Sequence, residues 1–175
     1  MHKDSSLEET RYVYTDASFS KPHHLAVMGY VIFNNSLAHN TTDASQQPFN
    51  IHSMKEDNNI RAEVQGAILA LKACATGSKV ILFSDCQTVV GLPRRKEKLI
   101  ATNFIGKKKK LVINNADIYQ EFYKEFDRLE PEIHWLAGHI SKDKKTKIDN
   151  NFSYVDKQVR KKLREIIVSG CDSFY

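Results

Sequence analysis

Two carboxylates each close an apolar run: Asp16 after "YVYT" and Asp85 after "VILFS". Asp is a poor strand former and is costly to bury unpaired, so an acid in that place either starts a turn or is held there for chemistry. If the two runs are parallel neighbours, both acids emerge at the carboxyl edge of one sheet, where open α/β sheets bind ligands. Two further acids stand beside apolar stripes. Glu63 falls in the first turn expected for "IRAEVQGAILALKACA", and Asp156 in the first turn expected for "SYVDKQVRKKLREIIVSG". Taken singly, each is better explained by the helix macrodipole, which favours acids near a helix start. Gathered at one edge, the four would repel one another and raise each other's pKa. Divalent cations relieve that repulsion. Carboxylate oxygens with positions left for water and phosphate suit Mg²⁺ or Mn²⁺ better than zinc.

The elements that must place these acids follow from periodicity. Residues 11–16 and 25–33 read as strands joined across Lys21–His24, with a weaker third strand at 49–53 after a polar loop at 34–48. Val64, Ile68 and Leu71 recur at helical spacing. "KVILFSD" is a short continuous apolar run, the pattern of a buried central strand. A short helix then ends at Pro93, and Asn115 caps a helix carrying Ile118, Phe122, Phe126 and Leu129 on one face. "EIHWLAG" reads as a strand, a lysine-rich loop follows, and the last helix turns Val155, Val159, Leu163 and Ile166 inward. Three strands, helix, strand, helices, strand, helix is an α/β order. It predicts a mixed sheet, with strands one to three as an antiparallel meander and helices on its faces.

The chain's 175 residues suffice for one full core and are few for two. The expected division is a polar leader at 1–9, one domain at 10–169 and a tail at 170–175. The formal net charge of +5 permits a polyanion partner and becomes informative only where the cations cluster. They do so twice: Arg94, Arg95, Lys96 and Lys98, then Lys107, Lys108, Lys109 and Lys110, all expected in one connection between helices. The cations of the last helix, among them Lys157, Arg160 and Arg164, read as its solvated face. Three cysteines without a C-x-x-C pair argue against a disulfide framework or structural zinc. No run has the length and apolarity of a membrane span or signal segment, so no membrane partner and a reducing, cytoplasmic setting are the default expectation.

Five segments in order resemble the ribonuclease H type 1 family: "YTDAS", "NIRAEVQGAILAL", "FSDCQTVV", "WLAGHISK" and "YVDKQVRKKL". The resemblance spans roughly residues 10–168. It implies a ribonuclease H-like fold with a five-stranded mixed sheet. It also implies an endonuclease that cuts the RNA strand of RNA/DNA hybrids, leaving 5′-phosphate and 3′-hydroxyl ends; a monomer is the default expectation for the chain. Asp16, Glu63, Asp85 and Asp156 match the family's metal-binding acids, and His139 its loop histidine. Asn59 and Gln87 match its minor-groove residues, and the stretch from Arg94 to Lys110 its basic protrusion. Two Mg²⁺ ions, with Mn²⁺ an option, are the implied cofactor. Such pairs act about 3.5–4 Å apart, one activating water and one stabilising the leaving oxygen. Asp16 would bridge them. His139, with an ordinary pKa of about 6.5, could move a proton or assist product release; the plainer reading is a solvated loop histidine. His23, His24, His39, His52 and His134 carry only plain readings.

The chain departs from the family at Ala17, where Gly is usual, at Cys86 in place of Ser, and in a longer loop holding Lys142, Lys144, Lys145 and Lys147. A hybrid-binding module without catalysis is the alternative on the same fold. A proofreading-type exonuclease would carry Asp-x-Glu on the first strand, where this chain has Asp-Ala-Ser.

Overall fold

The computed structural model describes residues 9–137 and 140–170. Five strands form one mixed sheet in the order β3-β2-β1-β4-β5. They are β1 (Thr10–Ser20), β2 (Leu25–Phe33), β3 (Asn50–Lys55), β4 (Lys79–Ser84) and β5 (Glu132–Trp135). The pairs β1–β2 and β2–β3 are antiparallel, while β1–β4 and β4–β5 are parallel. This is the meander plus two parallel strands that the sequence predicts. The helices are α1 (Ser36–Thr41), α2 (Asn59–Lys72), α3 (Gln87–Ala101), α4 (Ala116–Leu129) and α5 (Lys147–Ser169).

Alternation along β1 divides the core. Val13 faces the side packed by α2, α3 and α4, through Val64, Ile68, Leu82, Val89, Leu92 and Phe122. Tyr14 faces the other side, with Val31, Phe33, Phe83 and Val155 of α5. Burial of Val155, Val159 and Leu163 fastens α5 to that face. Each side chain contributes on the order of 1.5–3 kcal/mol when fully buried. Two glycines let the helices approach. A Cβ on Gly66 of α2 would stand 3.1 Å from Thr15 Oγ1 of β1, and one on Gly29 of β2 would meet Val159 of α5 at 2.7 Å.

β1 does not stop at Asp16. It pairs with β2 as far as Ser20, but its ladder with β4 ends at Tyr14↔Phe83. Asp16 is therefore interior to one pairing and past the end of the other. Beyond that last pair, no backbone ladder joins β1 to β4. Ala17 lies in this extended stretch opposite Met28, a conformation any residue adopts, so its backbone has no need of glycine's freedom.

Three further expectations are corrected. Residues 34–48 are not a plain exposed loop, since they hold α1 and a 3₁₀ turn at Ala44–Gln46. Asn35 caps α1 by accepting from the Ala38 amide at 2.8 Å. His39 of α1 is buried, stacked on Tyr12 and within 2.8 Å of the Tyr14 hydroxyl. Pro93 does not end α3, which runs on to Ala101. Burial of Val89, Leu92 and Leu99 along its inner face outweighs the missing amide, and the Tyr123 hydroxyl donates to the Leu92 carbonyl at 2.9 Å.

α5 begins at Lys147, well before Ser153. Thr146 caps it, accepting from the Asp149 amide at 3.3 Å while the Asp149 carboxylate accepts from the Thr146 amide at 2.8 Å. Its first turns are tied to the 34–48 segment. Lys147 Nζ donates to the Asn40 carbonyl at 2.7 Å, and the Ala44 amide donates to Asn151 Oδ1 at 2.9 Å.

Candidate active site

Asp16, Glu63 and Asp85 meet where β1 and β4 part. Carboxylate oxygens of all three lie within 4.8 Å of one another. Asp16 comes from β1, on the α5 face by alternation, and is only 5% exposed. Asp85 directly follows β4, and Glu63 comes from α2 on the opposite face. Glu63 sits in the second turn of its helix, not the first, because Asn58 is the cap and accepts from the Ile60 amide at 2.9 Å. Asp156 lies in the third turn of α5, because that helix starts earlier than its apolar stripe suggests.

The electrostatics follow from this crowding. Glu63 is pushed up to about 9, first by burial and then by the charges of Asp16 and Asp85, with the Ala17 amide opposing. Asp16 is raised well above the ordinary carboxylate range, first by burial, then by Asp85 and Asp156. Asp156 has a cation of its own: Arg160 Nε stands 2.6 Å from its carboxylate. All donors in the group are carboxylate oxygens, and the group destabilises its own negative charge. That set fits a hard divalent cation and offers nothing to a soft one. Beside it the Cys86 thiol is pushed up, mainly by burial, which disfavours thiolate chemistry there.

Asn59 and Gln87 are exposed first residues of α2 and α3, so both stand at helix starts flanking the acids in sequence. His139 lies outside the described residues. The basic clusters do not share one connection. Arg94, Arg95, Lys96 and Lys98 belong to the second half of α3. Arg95 lies over the Tyr119 ring, and Lys96 is paired with Asp127. Lys107, Lys108, Lys109 and Lys110 are exposed on a separate turn closed by the Ile105↔Val112 bridge, with the Gly106 amide donating to the Leu111 carbonyl at 2.8 Å. Asn115 does precede α4, but its side chain does not cap the helix; it accepts from Asn58 at 3.4 Å.

Sequence reasoning placed Arg160 on a solvated face and so missed its contact with Asp156. The four-residue spacing on a helix was the signal that could have found it.

The family model described as RNase H matches residues 8–163. The chain belongs to the ribonuclease H family. It is 33% identical over 82 residues to the ribonuclease H of Orientia tsutsugamushi (strain Boryong), a match covering 46% of this chain. That match spans about half of the relative's own length, 48%. Among solved structures it is similar to LC9-RNase H1, described as a type 1 RNase H with the type 2 active-site motif. The TM-score is 0.64 at 16% identity, covering 86% of this chain and 70% of the other. That likeness shows a shared fold.

Proposed function

We propose that this chain is a metal-dependent endonuclease that hydrolyses the RNA strand of RNA/DNA hybrids, leaving 5′-phosphate and 3′-hydroxyl ends. The observation that carries the reading is the convergence of Asp16, Glu63 and Asp85 within 4.8 Å from three distant places in the chain. Family membership supports the same substrate.

Asp16, Glu63 and Asp85 would hold divalent ions, Mg²⁺ or Mn²⁺, with Asp156 completing the set. When bound, such ions supply charge relief at the scissile phosphate and lower the pKa of an attacking water. The chain's own residues do the rest. Asn59 and Gln87, each able to donate and accept, read sugar and base edges in the minor groove, where the 2′-hydroxyl marks the strand to be cut. Arg94, Arg95 and Lys107 to Lys110 contact phosphates and fix register without reading sequence. His139 moves a proton at the leaving or attacking oxygen.

The test is cleavage of an end-labelled RNA/DNA hybrid with Mg²⁺, with Mn²⁺ and with EDTA, beside double-stranded and single-stranded RNA. Metal-dependent cutting of the hybrid alone is the expected result. Tight hybrid binding without cutting under either metal would replace this reading with that of a binding module.

A further inference from the structure

Arg160 stands where the acid cluster opens into a cleft. Its Nε lies 2.6 Å from Asp156 Oδ1, one helical turn away on α5. The acid is 27% exposed and the arginine 59%. Asp156 is also a close charged neighbour of Asp16. The Asp156 carboxylate thus has an acid on one side and a cation on the other. Its atoms stay outside the group in which Asp16, Glu63 and Asp85 approach one another within 4.8 Å. Arg160 further lines a cavity of 230 Å³ beside the cluster, together with Asp85, Lys145, Ser153 and Asp156.

We propose that Arg160 is the resident counter-cation of Asp156 and a positioning residue for ion binding. The inference rests on reading the four acids as metal ligands. A guanidinium cannot lose its proton in the working pH range, so it neutralises Asp156 whenever no ion does. It also orients the carboxylate through a charge-assisted hydrogen bond. An ion that uses Asp156 must compete with this contact, whereas one held by Asp16, Glu63 and Asp85 need not. Arg160 therefore weakens the ion site that Asp156 completes and sets an order of filling. The adjoining cavity gives the displaced side chain somewhere to go.

The experiment is calorimetric titration of Mn²⁺ into the full chain without nucleic acid, for the unaltered protein, Arg160→Gln and Arg160→Lys. Thermal melts in EDTA accompany each protein. In Arg160→Gln the weaker binding step should tighten by about 2–5-fold, the scale of a partly exposed ion pair, with the stronger step unchanged. Arg160→Lys, which keeps the charge, should retain most of the original affinity. A weaker step that is unchanged or loosened in Arg160→Gln overturns the inference while leaving the metal site intact. An unaltered protein that binds no Mn²⁺ overturns both the metal reading and this inference.

Discussion

Gly29 lies directly opposite Asp16 in the β1–β2 ladder, and the same glycine is the seat of α5. A side chain there would meet Phe49 at 2.5 Å and Val159 at 2.7 Å. Val159 follows Asp156 on the same helix, so the space left by Gly29 governs how closely α5 brings its acid to β1. Gly29→Ala should destabilise the protein by about 1–3 kcal/mol through overpacking. In urea the midpoint should fall with the slope unchanged. A midpoint equal to that of the unaltered protein would mean that Phe49 and α5 shift without cost.

Asp16→Asn removes a proposed metal ligand and a buried ionisable group together. Cleavage of the hybrid should fall by about 10³-fold or more, since metal-supplied charge stabilisation is worth several kcal/mol. Stability without metal should move the other way. The folded-state pKa of Asp16 is raised, so its ionisation opposes folding at alkaline pH. Melts in EDTA at pH 9 should therefore show Asp16→Asn above the unaltered protein. Retained turnover in this variant would defeat the site assignment.

Glu63 supplies a pH signature. Its pKa is about 9 when folded against an ordinary 4.5. The favourable contribution of the protonated carboxyl is complete below about pH 4.5 and is lost as pH rises through about 9. In EDTA, stability should decline across that window. Divalent ions bind the ionised form and displace protons, so the rise in Tm on adding Mn²⁺ should be larger at pH 8 than at pH 5.5. An equal rise at both pH values would show that ions bind elsewhere.

The turn bearing Lys107 to Lys110 is exposed and separate from α3, so it can be altered without disturbing that helix. Replacing all four lysines with Ser should weaken hybrid binding. The slope of log affinity against log salt should flatten by about 0.9 for each phosphate that is no longer neutralised. An unchanged slope would assign these lysines to solubility alone.

The sheet and two helices were legible because their signals are local. α4 occupies 116–129, the stretch whose apolar period is strongest, and β2 is a continuous apolar run bounded by turns. The meeting of Asp16, Glu63 and Asp85 was foreshadowed in the same way, since each interrupts or borders such a pattern, whereas the expected first-turn places of Glu63 and Asp156 were not met. What the sequence concealed depends on contacts across the chain. α1 has only six residues, too few to be stable alone, and is held by His39 packing against Tyr12 and Tyr14. The early start of α5 lies in a polar run rich in Asn, fixed by Asn40 and Ala44 far away in sequence. Its one local sign was the pairing of Thr146 with Asp149. The extension of α3 past Pro93 likewise depends on α4, which supplies Tyr123.

The cleft beside the acids is open and lined largely by charged and hydroxyl-bearing side chains, with Leu136, Ile140 and Phe152 as its main apolar wall. A drug-sized molecule could bury little greasy surface there and would gain little from shape alone. On the proposed reading of Asp16, Glu63 and Asp85 as holders of divalent ions, a molecule bringing oxygen donors of its own would gain more there than one relying on shape, and its affinity would depend on which ion is in the buffer.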